Sequence, residues 1–273
     1  MDEFDRKSIT KSLSETLSIE FLVILLKPKS FDVNNIKFSP LKTLDNGGKS
    51  IWINYDNNPV FLQTPEFEIP FDSGTFYGEN GTGKYAVKVS LKNFEENPSM
   101  KAFHDKIVEF DEKLKNCAID NSVAWFKKKN MSMDTIESLY THMVKVSLDA
   151  ETGEPNGRYP PSFTFKVVKR DNKVLCKCFD SDKKEMNIDD READDYKNLD
   201  DMFKKGTKVK MVLRCNGIWI ASGKFGCTWR AEQIKITPAM GFNDYAFLED
   251  SDEEGVEPIE GNFVDSSEDD DNT

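Results

Sequence analysis

Apolar and polar positions alternate most regularly between Lys208 and Thr237. Val209, Met211 and Leu213 fall on one side of a period-two pattern, and Lys208, Lys210, Val212 and Arg214 on the other, as in a strand with one buried face. Asn216-Gly217 follows and predicts a hairpin turn, because both central residues of a type I′ turn take positive φ. Ile218-Trp219-Ile220 returns, Ser222-Gly223-Lys224 interrupts, and Phe225 to Ile236 resumes. The stretch reads as a strand meander whose polar face carries Lys and Arg, with Trp219 and Trp229 beside them.

The rest of the chain has the same short-strand rhythm. Ile19 to Leu26 is a buried strand or a short helix; its length does not separate the two. Asn35 to Leu44, Ile51 to Tyr55, Val60 to Thr64, Lys84 to Leu91, His142 to Leu148, Ser162 to Val168 and Lys173 to Phe179 read as strands. The segment between Pro65 and Pro70 belongs at a sheet edge if it is a strand, since proline cannot donate to a ladder.

A helical insertion of about 97–140 breaks the series. Asn97 suits the cap and Pro98 the first helical position. Phe103, Ile107, Phe110, Leu114 and Cys117 then form one apolar stripe. Shorter helices are expected over Ser122 to Lys129 and Met133 to Tyr140, and a charged one over Asp189 to Lys205 with Tyr196, Leu199 and Phe203 inward. The fold expected is mainly β with a helical insertion (α+β), a barrel or a sandwich.

Charge divides the chain. Of 273 residues, 37 are Lys or Arg and 49 are Asp or Glu, a formal net charge of −12. From Ala239 to Thr273 there are 13 acidic residues and no basic one. That leaves 36 acidic against 37 basic residues elsewhere, so the body is nearly neutral. Negative net charge therefore does not exclude nucleic-acid binding. Three regions result: residues 1–34 as an N-terminal extension, 35–238 as the folded domain, and 239–273 as a disordered acidic tail.

The five cysteines lack CxxC spacing, and Cys176-x-Cys178 reads as two core positions on one strand face. Reduced thiols and an intracellular protein are expected, with no metal and no cofactor. Met1 to Lys11 has no apolar run that would mark a secretory leader. The apolar block Phe21 to Leu26 is far short of the roughly 20 residues of a membrane helix.

Gly78 to Lys84 nearly matches a phosphate loop, but Tyr85 stands where Ser or Thr would hold magnesium, and a strand rather than a helix is expected to follow. Neither His104 nor His142 sits in a catalytic constellation. Basic residues interleaved with aromatics are the more informative signal, since cations track phosphates and every base has a face to stack. Trp125 to Lys129 and Arg158 to Arg170 show this pattern, although a helix C-terminus and strand-core aromatics account for the same residues. The candidate nucleic-acid-binding set is Trp52, Lys84, Tyr85, Lys88, Trp125, Lys127, Lys128, Arg158, Tyr159, Phe165, Lys169, Arg170, Lys208, Lys210, Arg214, Trp219, Lys224, Trp229 and Arg230. In the tail, Phe247, Phe263, Asp269, Asp270 and Asp271 are candidate partner-binding residues. The tail is either a solubilising extension or an electrostatic mimic of nucleic acid that competes for a basic groove.

The order of strands, the closing meander with Gly223-Lys224-Phe225-Gly226 in its last turn, and the acidic C-terminus resemble phage-type single-stranded-DNA-binding proteins. The closer likeness is to their relatives in large nucleocytoplasmic DNA viruses. The resemblance implies an OB-fold-like Greek-key barrel and sequence-independent binding of single-stranded DNA in viral DNA replication, recombination and repair. It implies a non-enzymatic protein, monomer or homodimer, whose tail contacts DNA polymerase and other replication proteins at a replication site in host cytoplasm or nucleus. This chain departs from the family in ending Asp271-Asn272-Thr273 rather than on an aromatic residue. The alternatives are a viral structural or scaffold β-sandwich without nucleic-acid binding, and an enzyme using the Gly78–Lys84 loop.

Overall fold

The computed structural model describes residues 24–72, 75–77, 83–171 and 173–239. The glycine-rich 78–82 and the tail candidates Phe247, Phe263, Asp269, Asp270 and Asp271 lie outside the described residues.

Among the described residues, five strands close into a barrel. They are β1 (Phe61–Glu68), β2 (Gly83–Ser90), β3 (Ser162–Arg170), β4 (Lys208–Ala221) and β5 (Lys224–Thr237). β2 and β3 pair antiparallel from Ser162↔Ser90 to Lys169↔Gly83. β3 meets β5 in parallel at Lys166↔Arg230, β5 pairs antiparallel with β4, and β4 pairs with β1. Glu68↔Ser90 completes the ring between β1 and β2. The lateral order β1-β2-β3-β5-β4-β1 is that of an OB-type Greek-key barrel. Its two joins at single residue pairs leave it partly open.

Alternation fills the inside. Val87, Val89, Phe163, Phe165, Val167, Val209, Met211, Leu213, Ile234 and Ile236 are all buried. Helix α1 (Pro98–Asp120) closes one side, with the Asn97 side chain accepting from the Ser99 and Met100 amides. Its Phe103 meets Phe67 and Phe163 edge-on at 5.0 and 5.2 Å, and Phe110 reaches Trp229 at 6.0 Å. Two short helices follow, α2 (Ser122–Phe126) and α3 (Met133–Leu139). α2 stops where Lys127 turns left-handed, φ 60°.

Several expectations are corrected. Asn216-Gly217 is a bulge within the continuous strand β4, marked by a register shift between Cys215 and Ile218. Gly217 has φ +86°, and a Cβ there would stand 2.2 Å from the Ile51 carbonyl oxygen, so the position excludes a side chain. The turn itself is Ser222-Gly223, with φ of 51° and 74°, the two positive values a type I′ turn needs. Pro65 lies within a barrel strand rather than at an edge, beside the β4 shift between Lys210 and Val212. There the Thr64 hydroxyl accepts the Met211 amide at 3.0 Å.

The folded body begins before residue 35: Leu25–Leu26 pairs with β1, and Phe31 and Val33 are core residues. Asp189 to Lys205 forms only the turn of helix Leu199–Met202, because carboxylate and amide side chains such as Asn187 bind local backbone instead.

Candidate nucleic-acid interface

Position 166 of β3 organises the outer wall of the barrel. In register it faces Ala86 on β2 and Arg230 on β5; Arg230 faces Arg214 on β4, and Arg214 faces Phe61 on β1. One lateral row, Ala86-Lys166-Arg230-Arg214-Phe61, therefore crosses all five strands, and none of its members is buried. Strand spacing of about 4.8 Å places its three cations within about 10 Å. The Arg214 guanidinium lies 5.7 Å from the centroid of Phe61, a cation–π contact. Glu232 pairs with the two arginines of the row: its Oε1 accepts from Arg230 Nε at 2.9 Å and Nη2 at 2.8 Å, with Arg214 Nη1 at 3.9 Å.

Along the β2–β3 ribbon, exposed Lys88 stands opposite Thr164. Lys84 and Tyr85 hold the register positions opposite Val168 and Val167. Lys84 thus lies in a strand, and the glycine-rich run opens no helix, so it lacks the helix N-terminus on which a phosphate loop depends. At the far end Lys169 and Arg170 pair with Val174 and Lys173. At the near end Arg158 lies 5.4 Å over the ring of Tyr159, which is 55% exposed.

The β4–β5 tip carries a second aromatic group. Trp219 pairs laterally with Ser50 on one side and Gly226 on the other, and Ser50 pairs with Lys42. Trp52, 51% exposed, is held through its backbone by Ser39. Lys127 and Lys128 are exposed just beyond α2, and Lys224 donates to the Ser138 carbonyl at 2.7 Å.

Three candidates leave the set. Phe165 is 0%, Trp229 1% and Trp125 4% exposed. Phe165 fills the barrel, Trp229 donates Nε1–H to the Met143 sulfur at 3.0 Å, and Trp125 packs edge-on against Phe38 and Phe126. None presents a face to a ligand.

The structure adds Lys235, Lys183, Lys27 and Lys29, which sequence reasoning missed. Lys235 stands beside the candidate Lys210, with Phe179 beyond it. They line a groove of about 310 Å³ with Lys183. An adjoining cleft of about 220 Å³, lined by Lys27, Lys29 and Lys210, shares Gln63 with it. No carboxylate lines either. Lys235 was legible from the alternation of β5; Lys27 and Lys29 carried no signal, because their segment read as an extension. Lys208, at the foot of β4, faces Glu68 and Thr237.

Behind the tip lies a charged network. Buried Asp111 accepts the Tyr140 hydroxyl at 2.5 Å and the Met143 amide at 3.2 Å. His142 lies between Asp111 and Glu137, and Glu137 also accepts from Lys115 at 2.7 Å. The Asp111 carboxylate, 3.7 Å from His142 Nδ1, raises the His142 pKa above its ordinary value, with Glu137 adding to it. Burial, reinforced by Asp111, pushes the Tyr140 phenol far up, so it stays a donor.

Over residues 87–249 the sequence matches a family described as "Family of unknown function (DUF5871)". No curated protein matches the chain. Among solved structures, gp2.5, a single-stranded-DNA-binding protein encoded by bacteriophage T7, is similar with a TM-score of 0.39 and 14% identity, over 74% of this chain and 100% of that one. The single-stranded-DNA-binding protein of bacteriophage Enc34, in complex with ssDNA, is similar with a TM-score of 0.39 and 13% identity, over 73% and 94% of the two chains.

Proposed function

The chain belongs to this family of unknown function, DUF5871, and we propose that it is a non-enzymatic protein that binds single-stranded DNA without sequence preference. The observation that carries the reading is the row Lys166-Arg230-Arg214-Phe61 running from the β2–β3 face of an OB-type barrel. Such barrels take oligonucleotides on the face of their second and third strands and on the loops joining strands one to two and four to five. Here the second and third strands bear Lys88, Lys166, Lys169 and Arg170, and the four-to-five turn bears Lys224 beside Trp219. Cations pair with successive phosphates while Trp52, Trp219 and Tyr159 stack bases. Neither contact reads sequence.

DNA rather than RNA, and service in viral replication, recombination and repair, follow the resemblance of the meander and acidic C-terminus to phage-type proteins. In this reading the tail lowers affinity and recruits replication proteins such as DNA polymerase. The protein works inside the host cell at the viral replication site, in cytoplasm or nucleus, alone or as a homodimer.

The test is a fluorescence-anisotropy titration of the full chain with labelled oligo-dT and a matching duplex at two salt concentrations. Salt-sensitive binding that prefers the single strand is expected. A flat titration by both the full chain and a chain ending at Ala239 overturns the reading in favour of a structural protein.

A further inference from the structure

Arg230 and Arg214 stand directly opposite each other on neighbouring strands, with Lys166 next in the same row. Like charges in directly opposed positions repel, so an anion beside the two arginines stabilises their pairing. Glu232 supplies it. One carboxylate oxygen takes both Nε–H and Nη2–H of Arg230, at 2.9 and 2.8 Å, with Arg214 Nη1 at 3.9 Å. The oxygen hydrogen-bonds Arg230 and lies within ion-pair distance of Arg214, where a phosphate oxygen would form the same charge-assisted contacts. Phe61 braces Arg214 from the other side at 5.7 Å.

We propose that Arg214 and Arg230 form a dedicated phosphodiester subsite and that Glu232 is its built-in counter-anion, displaced when a strand binds. The inference rests on the single-strand reading above. Two further observations support displacement rather than a fixed ion pair. The Arg230, Arg214 and Glu232 side chains keep 26%, 31% and 25% of their surface exposed, so an incoming anion can reach the pair. Glu232 also borders a cavity of about 710 Å³ lined by Lys177, Glu185, Asn187 and Asp189, so there is open space beside the pair. The device keeps the arginines aligned while unbound and raises the threshold against small anions, which cannot recover the lost pairing through neighbouring contacts.

The test compares wild type with Glu232→Gln by anisotropy with labelled oligo-dT across a salt series. The variant is expected to bind about three- to tenfold more tightly at low salt. Its dependence of log affinity on log salt should steepen by up to about 0.7, because no freed carboxylate takes up a cation when the strand binds. The gain should vanish in Arg214→Ala/Glu232→Gln. Glu232→Ala serves as a second variant with the same expected direction, each protein being checked by its melting midpoint. Unchanged or weaker binding in both variants overturns the inference and makes Glu232 a structural organiser. A gain that persists in the double variant also overturns it. If wild type binds and these outcomes fail, only the counter-anion idea falls; if wild type does not bind at all, the single-strand reading falls with it.

Discussion

Trp219 lies against Gly226 across the β4–β5 pair: a Cβ placed on Gly226 would stand 3.1 Å from Cζ2 of the indole and 3.0 Å from the Thr141 carbonyl. Glycine at 226 therefore sets the pose of the ring at the barrel tip. If Trp219 stacks a base, Trp219→Ala should cost about 1–3 kcal/mol of oligo-dT affinity. Gly226→Ala should cost less, about 0.5–1.5 kcal/mol, by pushing the ring from its rotamer. Both are read by anisotropy titration, and equal affinities for wild type and Trp219→Ala would remove the tip from the interface.

The four tryptophans divide into two pairs with opposite expected phenotypes. Trp229 is packed against Phe110 and bonded to Met143, so Trp229→Ala should lower stability by about 3–5 kcal/mol in urea unfolding. Trp52 is 51% exposed, so Trp52→Ala should shift stability by no more than about 0.5 kcal/mol while weakening oligo-dT binding. A Trp52→Ala protein that binds as wild type does would confine the strand to the β2–β3 wall.

How much of this was legible follows from what each signal reports. The period-two pattern of Lys208 to Arg214 assigned inward and outward positions correctly, so Arg214 and Lys210 emerged from sequence as outward cations. The pattern does not distinguish an aromatic in a barrel wall from one on its surface, so Phe165 and Trp229 were candidates until burial excluded them. Asn216-Gly217 carried the strongest turn signal in the chain, yet the close approach of the Ile51 carbonyl, not chain reversal, is what demands glycine there. Above all, the row through Lys166, Arg230 and Arg214 joins residues 64 and 16 positions apart, a lateral register that no single-strand pattern encodes.

The row and the ribbon should add phosphate contacts one at a time. Lys88→Ala and Arg230→Ala should each weaken oligo-dT binding irrespective of base composition. Each should reduce the slope of log affinity against log salt by about 0.7. Lys145, exposed on a neighbouring strand outside the row, supplies the control: Lys145→Ala should leave the slope unchanged. Slopes equal to wild type in the first two variants would place the strand elsewhere.

His142 gives the fold a pH dependence of definite sign. The nearby Asp111 carboxylate, with Glu137 on its other side, raises its pKa in the folded state above the 6.5 of an unperturbed histidine. A raised folded-state pKa means the native state binds the proton more tightly than the unfolded chain. The stabilisation is complete below pH 6.5 and is lost as pH rises through the raised value. Glu137 works in the other direction: Lys115 lowers its pKa from 4.5, so its contribution is lost only as pH falls below that range. Thermal melts should therefore show wild type losing stability as pH rises above 6.5, with that fall abolished in His142→Gln. A fall of the same size in the variant would assign it to another group.

Residues beyond Ala239 carry no basic side chain, and the chain leaves β5 at Thr237, beside Lys208. Lys210 and Lys235, one step further along the same strands, border the clefts that also hold Lys27, Lys29 and Lys183 and no carboxylate. An acidic segment attached at that point stays at high effective concentration over these lysines and competes with any strand that uses them. Deleting residues 240–273 should therefore tighten oligo-dT binding, mostly at low salt. The advantage should shrink as the Debye length falls from about 30 Å at 0.01 M to about 8 Å at 0.15 M ionic strength. Adding the deleted segment back as a free peptide should restore little of the inhibition, because its effective concentration is lost. Equal affinities for the full and truncated chains at every salt concentration would leave the segment as a solubilising extension.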